Sequence, residues 1–334
     1  MARFGMWLRA FRGFYNPKSD LKNLDTVSKW LFASRSVILI ISMQTAIISG
    51  ILAFASGKFN AFYFILVFIG FVLAHAASNL TNDYFGFAKG HDSGDAPRLN
   101  YTIHPLVSGL VTRKELRRAI LLIVFAGFLI AAYLTIVRGP LIAVFFSMGI
   151  AFLVGYDVSP VTLKEIGLGE IATFVIWGPL MVGSGYYIIT GSLSVLPFLI
   201  GIPYGFGVMS ILVGKHIDQM GFDRRIGQHT LPLLLGSRIA RKLNVALICS
   251  MYIAVALLVL GGLVPLLALL VFFNLPNAVR AVRTLSRPKP AKAPKGYIGW
   301  PLWYHKVSLI QDRNFGWLYI AGLSLGSLLF LALH

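Results

Sequence analysis

Long apolar runs recur along the chain and constrain its fold more than any other feature. A run of about 18 or more apolar residues is long enough to cross the hydrocarbon core of a bilayer as a helix. Only 13% of the residues are charged, whereas about a quarter are charged in a typical soluble domain. The pattern predicts an all-α polytopic membrane protein whose single integral-membrane domain covers residues 1–334.

Nine transmembrane helices are predicted from these runs. They cover residues 36–54, 59–77, 119–137, 139–156, 167–187, 195–213, 243–260, 263–279 and 315–333. A tight turn, Arg138-Gly139-Pro140, separates the third run from the fourth, and Asn274 and Pro276 interrupt the eighth. The single cysteine, Cys249, lies within the seventh run, and we expect it to be a small buried apolar residue.

Basic residues cluster in alternate loops, which predicts the orientation of the bundle. The N-terminal segment 1–35 and the loops 78–118, 157–166, 214–242 and 276–314 hold 28 of the 30 lysines and arginines. The positive-inside rule therefore predicts a multi-pass protein with a cytoplasmic N-terminus and an external C-terminus. The formal charge of +18 is explained by topology and by anionic lipid headgroups, so no nucleic-acid partner is expected. Residues 285–300 form a Pro/Lys-rich loop on the predicted cytoplasmic side.

The first acidic stretch, NLTNDYFGFAKGHDSGD at 79–95, follows the second apolar run. If the helix continues, its spacing places His75, Asn79, Asn82, Asp83 and Gly86 on one face. A break at residues 89 and 90 then leaves two further carboxylates in a loop. Carboxylates at the end of a membrane helix are costly and indicate a function.

A second acidic stretch, KHIDQMGFDRRIGQHTL at 215–231, follows the sixth run. Asp218 and Asp223 are five residues apart, about 140° around an ideal helix. They converge on one ion only if the helix ends or bulges near Gly221, whereas Gln219 and Asp223 align on a continuous helix.

Two loops rich in carboxylate and amide oxygens on one side of a bundle favour Mg²⁺, which commonly bridges one or two carboxylates to substrate phosphates. The alternative is that each carboxylate pairs with a nearby lysine or arginine at a wet interface. We expect His75 to be packed and hydrogen-bonded. Glu170 is expected to play a structural role, by capping residues 167–169 or pairing with a loop cation.

Several segments resemble one known family in the same order along the chain. They are NDYFGFAKGHDSGD (82–95), HPLVSGLVT (104–112), LKEIGLGEIATFVIWGPL (163–180), DRRIGQHTLPLLLG (223–236) and WPLWY (300–304). Together they resemble the UbiA superfamily of intramembrane aromatic prenyltransferases, and most of all its 1,4-dihydroxy-2-naphthoate branch in menaquinone synthesis. The sequence departs from the family at two positions. Gly86 stands where the family usually has an aspartate, and Gln219 stands at the first aspartate of the second motif.

The resemblance implies Mg²⁺-dependent transfer of a polyprenyl group from a prenyl diphosphate to an aromatic acceptor. The implied metal ligands are Asp83, Asp92, Asp95, Asp218 and Asp223. Diphosphate binding is expected from Asn79, Asn82, Lys89, Arg98, Lys164, Lys215 and Arg224. The implied catalytic residues are Asp83, Asp218, Asp223 and Lys89, with Tyr84 and Tyr156 offering aromatic faces to an allylic cation, although both tyrosines also suit interface anchoring.

Two alternative functions stay open at this point. One is a sibling of the same superfamily that uses another acceptor or cyclises its prenyl chain. The other is a transporter of organic anions, although no inverted repeat is visible and the polar residues gather at one face, away from the midplane.

Overall fold

The computed structural model describes residues 2–13, 24–92, 94–158 and 160–333, and these ranges contain helices and no strand. In chain order the α-helices are α1 (Ala2–Arg12), α2 (Thr26–Ala33), α3 (Ser36–Ala55), α4 (Ala61–Ala88), α5 (Arg113–Arg138), α6 (Leu141–Leu153), α7 (Gly169–Val175), α8 (Met181–Thr190), α9 (Leu196–Arg225), α10 (Leu231–Leu235), α11 (Ser237–Leu260), α12 (Leu275–Leu285) and α13 (Tyr304–Leu333). The π-helical turns Val154–Val158 and Ile176–Leu180 extend α6 and join α7 to α8. A 3₁₀ segment, Leu266–Asn274, precedes α12.

Eight helical segments within the described ranges are long and apolar enough to cross a membrane. They match the first eight predicted runs, and the all-helical polytopic architecture is confirmed. The ninth predicted run lies within α13, a helix of 30 residues. The count of nine spans and the orientation of the termini stay predictions.

Two predicted interruptions are confirmed. Gly139 adopts a φ of 104° between α5 and α6, a backbone conformation that glycine reaches easily because it lacks a Cβ atom. The change from 3₁₀ to α-helix occurs at Asn274, whose buried amide donates hydrogen bonds to Gln311.

The α7–α8 span and α9 approach each other closely at glycines. A Cβ atom added to Gly178 would lie 2.7 Å from the Cα atom of Gly205, and one added to Gly201 would lie 2.6 Å from the carbonyl oxygen of Gly178. Small residues let membrane helices come together in this way. The contact fixes the position of α9, which carries the second acidic stretch.

One expectation about an individual residue is wrong. Cys249 is exposed on the surface of α11, because the buried face of that helix is formed by Leu247, Ile248 and Met251 instead. Helix α13 begins at Tyr304, before the predicted run 315–333, and therefore includes Asp312. Its side chain is 1% exposed.

Candidate active site

Helix α4 continues for 28 residues to Ala88 and therefore carries residues 79–88 of the first acidic stretch in its last turns. The predicted break follows at once, since Lys89 caps the helix and Gly90 has a φ of 75°. His75 is buried, lies 2.9 Å from the Ser42 hydroxyl and contacts Trp177 edge-on. It is thus the packed, hydrogen-bonded residue that was expected. The amide of Asn79 donates to a backbone carbonyl at the junction of α2 and α3 (2.9 Å).

Asp83 is fully buried between two arginines. Arg35 and Arg98 both form close ion pairs with its carboxylate, and both oxygens are engaged. Arg35 comes from the junction of α2 and α3, where its φ of 56° is left-handed. Burial alone would lower the pKa of Arg98, but the charges of Asp83 and Asp92 raise it above its ordinary value. Asp83 thus holds two guanidinium groups at the end of α4.

Asn82 links this cluster to the end of α6. Its side-chain oxygen accepts a hydrogen bond from Arg35 (3.1 Å), and its amide donates to Asp157 (2.6 Å). Asp157 is buried on the π-helical turn after α6 and also pairs with Lys164 at 3.0 Å. The ammonium of Lys164 lies 5.5 Å from the centre of the Tyr156 ring. Residues from the α2–α3 junction, from α4 and from the turn after α6 therefore meet in one charged network.

Asp92 is brought back against α4 by the loop that follows it. Its side chain is 14% exposed and lies 3.3 Å from His104 Nε2 and 3.7 Å from Arg98 Nη1. Burial raises the pKa of Asp92, but the nearby His104 ring and the charge of Arg98 outweigh it and hold that pKa below its ordinary value. Asp92 is therefore an ionised carboxylate at neutral pH.

Helix α9 runs without a break through Gly221 to Arg225. Gln219 and Asp223 consequently share one face, as expected of a continuous helix, and line the same polar pocket. Gln219 donates to the hydroxyl of Tyr101 at 2.7 Å. Burial raises the pKa of Tyr101 to about 12, so this phenol keeps its proton.

Asp218 points away from Asp223. Its carboxylate accepts hydrogen bonds from the backbone N–H groups of Trp303 (2.7 Å) and His305 (3.0 Å), and it pairs with Lys289 at 3.2 Å. The cause is the unbroken helix, which keeps the two carboxylates on different faces. Asp218 therefore anchors the loop before α13, and the structure does not bring it to the predicted metal site.

Four other predicted site residues also lie apart from the polar pocket. Asp95 and Arg225 form a pair at 2.6 Å whose side chains are 78% and 60% exposed. Lys89 pairs with Glu165 at the surface, at 3.4 Å. Tyr84 stacks under Arg113, 5.2 Å from ring centre to guanidinium. Arg224 is exposed.

The pocket between α4 and α9 is polar and basic. It is lined on the α4 side by Asn82, Asp92 and Arg98, and on the other side by Lys164, Lys215, Gln219 and Asp223. Asn82, Arg98, Tyr101, Tyr156 and Lys215 also line an adjoining apolar cavity of about 190 Å³. Phe152, Trp177 and Ser78 in turn border a second apolar cavity of about 200 Å³ between α4, α5, α6 and α8. The polar pocket thus adjoins apolar cavities in the interior of the helix bundle.

The donor set fits a single Mg²⁺ ion better than a cluster held by five aspartates. Within the described residues, no group of three or more His, Cys, Asp or Glu side chains lies close enough together to hold a metal. Asp83 is occupied by arginines, and Asp95 and Asp218 lie elsewhere. Asp92 and Asp223 still face one pocket, and one Asp223 oxygen is buried without a hydrogen-bond partner. Two carboxylates suffice for Mg²⁺ when phosphate and water complete its six ligands.

Sequence reasoning missed several residues of the site. Arg35 is 48 positions away from Asp83, and no local spacing could have paired them. Asp157 directly follows a tyrosine at the end of an apolar run, and this position could have identified it as a candidate site residue. Glu170 pairs with His216 on α9 at 2.6 Å; we had expected it to cap residues 167–169 or to pair with a loop cation.

The chain is similar to proteins of one known family. A family model described as the UbiA prenyltransferase family matches residues 42–306. The 1,4-dihydroxy-2-naphthoate octaprenyltransferase of Escherichia coli is 25% identical over 272 residues, which cover 80% of this chain and 87% of that protein. Human UbiA prenyltransferase domain-containing protein 1 is 26% identical over 220 residues, covering 64% of this chain and 63% of that protein.

Solved structures share the fold. A UbiA homolog from Aeropyrum pernix superposes with a TM-score of 0.63 at 16% identity, covering 89% of this chain and 98% of that one. A UbiA homolog from Archaeoglobus fulgidus bound to GPP and Mg²⁺ gives a TM-score of 0.55 at 15% identity, covering 89% of this chain and 99% of that one.

Proposed function

The chain belongs to the UbiA prenyltransferase family, whose members are enzymes that transfer prenyl groups, and from that premise we propose its reaction. The proposed donor is a polyprenyl diphosphate, the acceptor is 1,4-dihydroxy-2-naphthoate or a related quinone precursor, and the reaction depends on Mg²⁺. The observation that carries the proposal is the basic pocket between α4 and α9 that opens into an apolar cavity. A prenyl diphosphate has the same division into a charged head and an apolar tail.

The diphosphate head suits the polar pocket. Arg98, Lys164 and Lys215 line it, and charge-assisted hydrogen bonds to phosphate are stronger than neutral ones. Two of these cations are paired with carboxylates, Arg98 with Asp83 and Asp92, and Lys164 with Asp157. The pairs orient these two cations before substrate arrives, which limits the cost of ordering them on binding.

The prenyl tail suits the apolar cavities. Ile41, Phe152, Trp177 and Val208 line the cavity next to the polar pocket, and the second cavity continues among apolar residues of α4, α5, α6 and α8. Such walls exclude water from the reacting carbon, which protects an allylic cation from hydrolysis. Tyr156 lies where the polar pocket and the cavity meet, so its ring offers an electron-rich face to that cation.

Asp92 and Asp223, with the amide oxygen of Gln219, would hold Mg²⁺. When bound there, Mg²⁺ supplies positive charge that stabilises the leaving diphosphate. The chain's own cations, Lys164, Lys215 and Arg98, neutralise the charge that develops as the allylic C–O bond breaks. The bonding electrons leave with the diphosphate, an aromatic carbon of the acceptor forms the new C–C bond, and that carbon then releases its proton.

Transfer by purified protein tests the proposal. The protein in lipid nanodiscs is incubated with radiolabelled geranylgeranyl diphosphate, Mg²⁺ and either 1,4-dihydroxy-2-naphthoate or 4-hydroxybenzoate. We expect a labelled product with the naphthoate and none in EDTA. Asp223→Asn serves as the inactive control, because Asp223 lies on the pocket-facing side of α9.

The two alternatives predict other outcomes. A sibling activity would give product with the second acceptor, or a cyclised prenyl product without any acceptor. Membership of a family of transferases favours an enzyme over the organic-anion transporter. Labelled diphosphate that crosses the bilayer unchanged, with no product from any acceptor, would contradict the proposed function.

A further inference from the structure

Because Gly86 has no side chain, there is space beside α4, and the carboxylate of Asp92 occupies that space. Gly86 lies three residues after Asp83 on the last turn of the helix. A Cβ atom built on Gly86 would lie 2.1 Å from Asp92 Oδ2 and 3.1 Å from its carboxylate carbon. Nonbonded carbon and oxygen atoms need more than 3 Å, so Asp92 can occupy this place only because residue 86 has no side chain.

His104 holds Asp92 in that place. The ring is 1% exposed, and its Nδ1 accepts hydrogen bonds from the backbone N–H groups of Leu106 (3.2 Å) and Val107 (3.3 Å). Because Nδ1 acts as an acceptor, the proton of the neutral ring sits on Nε2. That nitrogen lies 3.3 Å from Asp92 Oδ2. The loop from Gly90 to Val107 therefore carries both the carboxylate and the group that aims it.

Asp83 is not available for the same task. Both of its oxygens are taken by Arg35 and Arg98, whereas Asp92 lies 3.7 Å from the single nitrogen Arg98 Nη1 and borders the polar pocket. Of these two carboxylates, Asp92 is the one with an oxygen to offer a ligand in the pocket.

We propose that Gly86 and His104 are positioning residues of the Mg²⁺–diphosphate site. Gly86 leaves room beside α4 for the Asp92 carboxylate, and His104 aims that carboxylate into the polar pocket, while Asp83 orients the two arginines. The inference rests on the proposed function, which takes Asp92 as a ligand of that site. Asp92 is the binding residue, and His104 is a positioning residue that acts through it. Gly86 is required because any side chain there displaces the carboxylate.

Two glycines near the ends of long helices provide a matched pair of variants. Gly86→Ala on α4 places a methyl group against Asp92, whereas the methyl group of Gly221→Ala on α9 is exposed and meets nothing within 4 Å. Both changes add the same atoms to a membrane-spanning helix. The measurement is equilibrium binding of radiolabelled geranylgeranyl diphosphate to the purified protein, titrated with Mg²⁺ in the absence of acceptor.

Gly86→Ala is expected to raise the Mg²⁺ concentration for half-maximal binding by about 10- to 100-fold, the range seen when the support of a metal ligand is lost. Gly221→Ala is expected to match the wild type. The double variant Gly86→Asp/Asp92→Gly returns a carboxylate to the helix and is expected to recover most of the lost affinity. Asp92→Asn keeps the shape of the loop and is expected to show the same defect as Gly86→Ala, so the test holds even if Gly86→Ala folds poorly.

His104 is tested in the same titration. His104→Phe removes the donor and is expected to raise the half-maximal Mg²⁺ concentration, while His104→Gln, whose amide N–H can replace Nε2–H, is expected to restore it. A purely structural role would lower thermal stability without changing the Mg²⁺ dependence.

The outcomes separate the two proposals. Wild-type protein that binds no diphosphate at any Mg²⁺ concentration refutes the proposed function. Wild-type protein that binds normally, with Gly86→Ala and Asp92→Asn both unchanged, overturns only the assignment of Asp92.

Discussion

Replacing Asp83 with asparagine removes the charge that neutralises two buried guanidinium groups while keeping the size of the side chain. Arg98 is 7% exposed, and the Arg35 side chain is 14% exposed. Removing one partner of a buried ion pair costs about 3 to 5 kcal/mol. Because Arg35 retains some access to water, we expect a loss near the lower end, about 3 kcal/mol.

A melting experiment turns that loss into a measurable shift. With an unfolding entropy of about 2.1 cal/mol/K per residue, a chain of 334 residues that loses about 3 kcal/mol melts about 4 °C lower. The melt is followed in detergent by the fluorescence of the six tryptophans. We also expect Asp83→Asn and Asp83→Ala to lose Mg²⁺-dependent prenyl transfer, because the arginines are no longer held at the pocket.

Asp95→Asn is the matched control for Asp83→Asn. Its partner Arg225 and Asp95 itself are largely exposed, and surface pairs contribute only about 0 to 1 kcal/mol. We therefore expect its melting temperature to stay within about 1 °C of the wild type. If Asp83→Asn melted at the same temperature as Asp95→Asn, the reasoning that Asp83 holds two buried cations would be refuted.

Three further predictions concern other residues near the pocket. Lys215→Met removes a cation that lines both the polar pocket and the apolar cavity. We expect the Kd for geranylgeranyl diphosphate to rise about tenfold. Lys242 is exposed, so Lys242→Met is the control and should leave the Kd unchanged. Asp218→Asn is expected to lower the melting temperature, because Asp218 accepts hydrogen bonds from the backbone N–H groups of Trp303 and His305, just before and at the start of α13. It is expected to leave the Mg²⁺ dependence of binding unchanged. A shift in that dependence would place Asp218 at the metal site after all. Burial and the charges of nearby lysines hold the pKa of His91 below its ordinary value of 6.5, so the folded protein favours the neutral ring and loses stability as the pH falls through that value. We therefore expect the melting temperature of wild type to fall more between about pH 7.5 and about pH 5.5 than that of His91→Gln, and equal falls would contradict this.

The helical architecture and the placement of both motifs followed from the sequence because they depend on local patterns. Apolar run length predicted the membrane helices, and the spacing of polar residues placed Asn82 and Asp83 on one face of α4. Helix geometry also showed that Asp218 and Asp223 could converge on one ion only if the helix ended or bulged near Gly221. The helix continues through Gly221, so that condition is not met.

The charged contacts within the site could not be predicted in the same way. Asp83 meets Arg35 from 48 positions away and Arg98 from 15 positions away, and Asn82 meets Asp157 from 75 positions away. Such pairs depend on how the helices pack, which residue spacing does not encode. The absent side chain at Gly86 was visible in the sequence as a missing ligand, but only the path of the following loop shows that Asp92 takes its place.

The most direct test of the proposed site is an experimental structure with geranylgeranyl S-thiolodiphosphate, a donor analogue that resists cleavage, and Mg²⁺. We predict that its diphosphate lies between α4 and α9 within hydrogen-bond distance of Lys164 and Lys215. The prenyl chain is predicted to pass Tyr156 into the cavity lined by Phe152 and Trp177. A diphosphate bound away from this pocket, or a prenyl chain lying outside these cavities, would contradict the assignment of the pocket as the donor site.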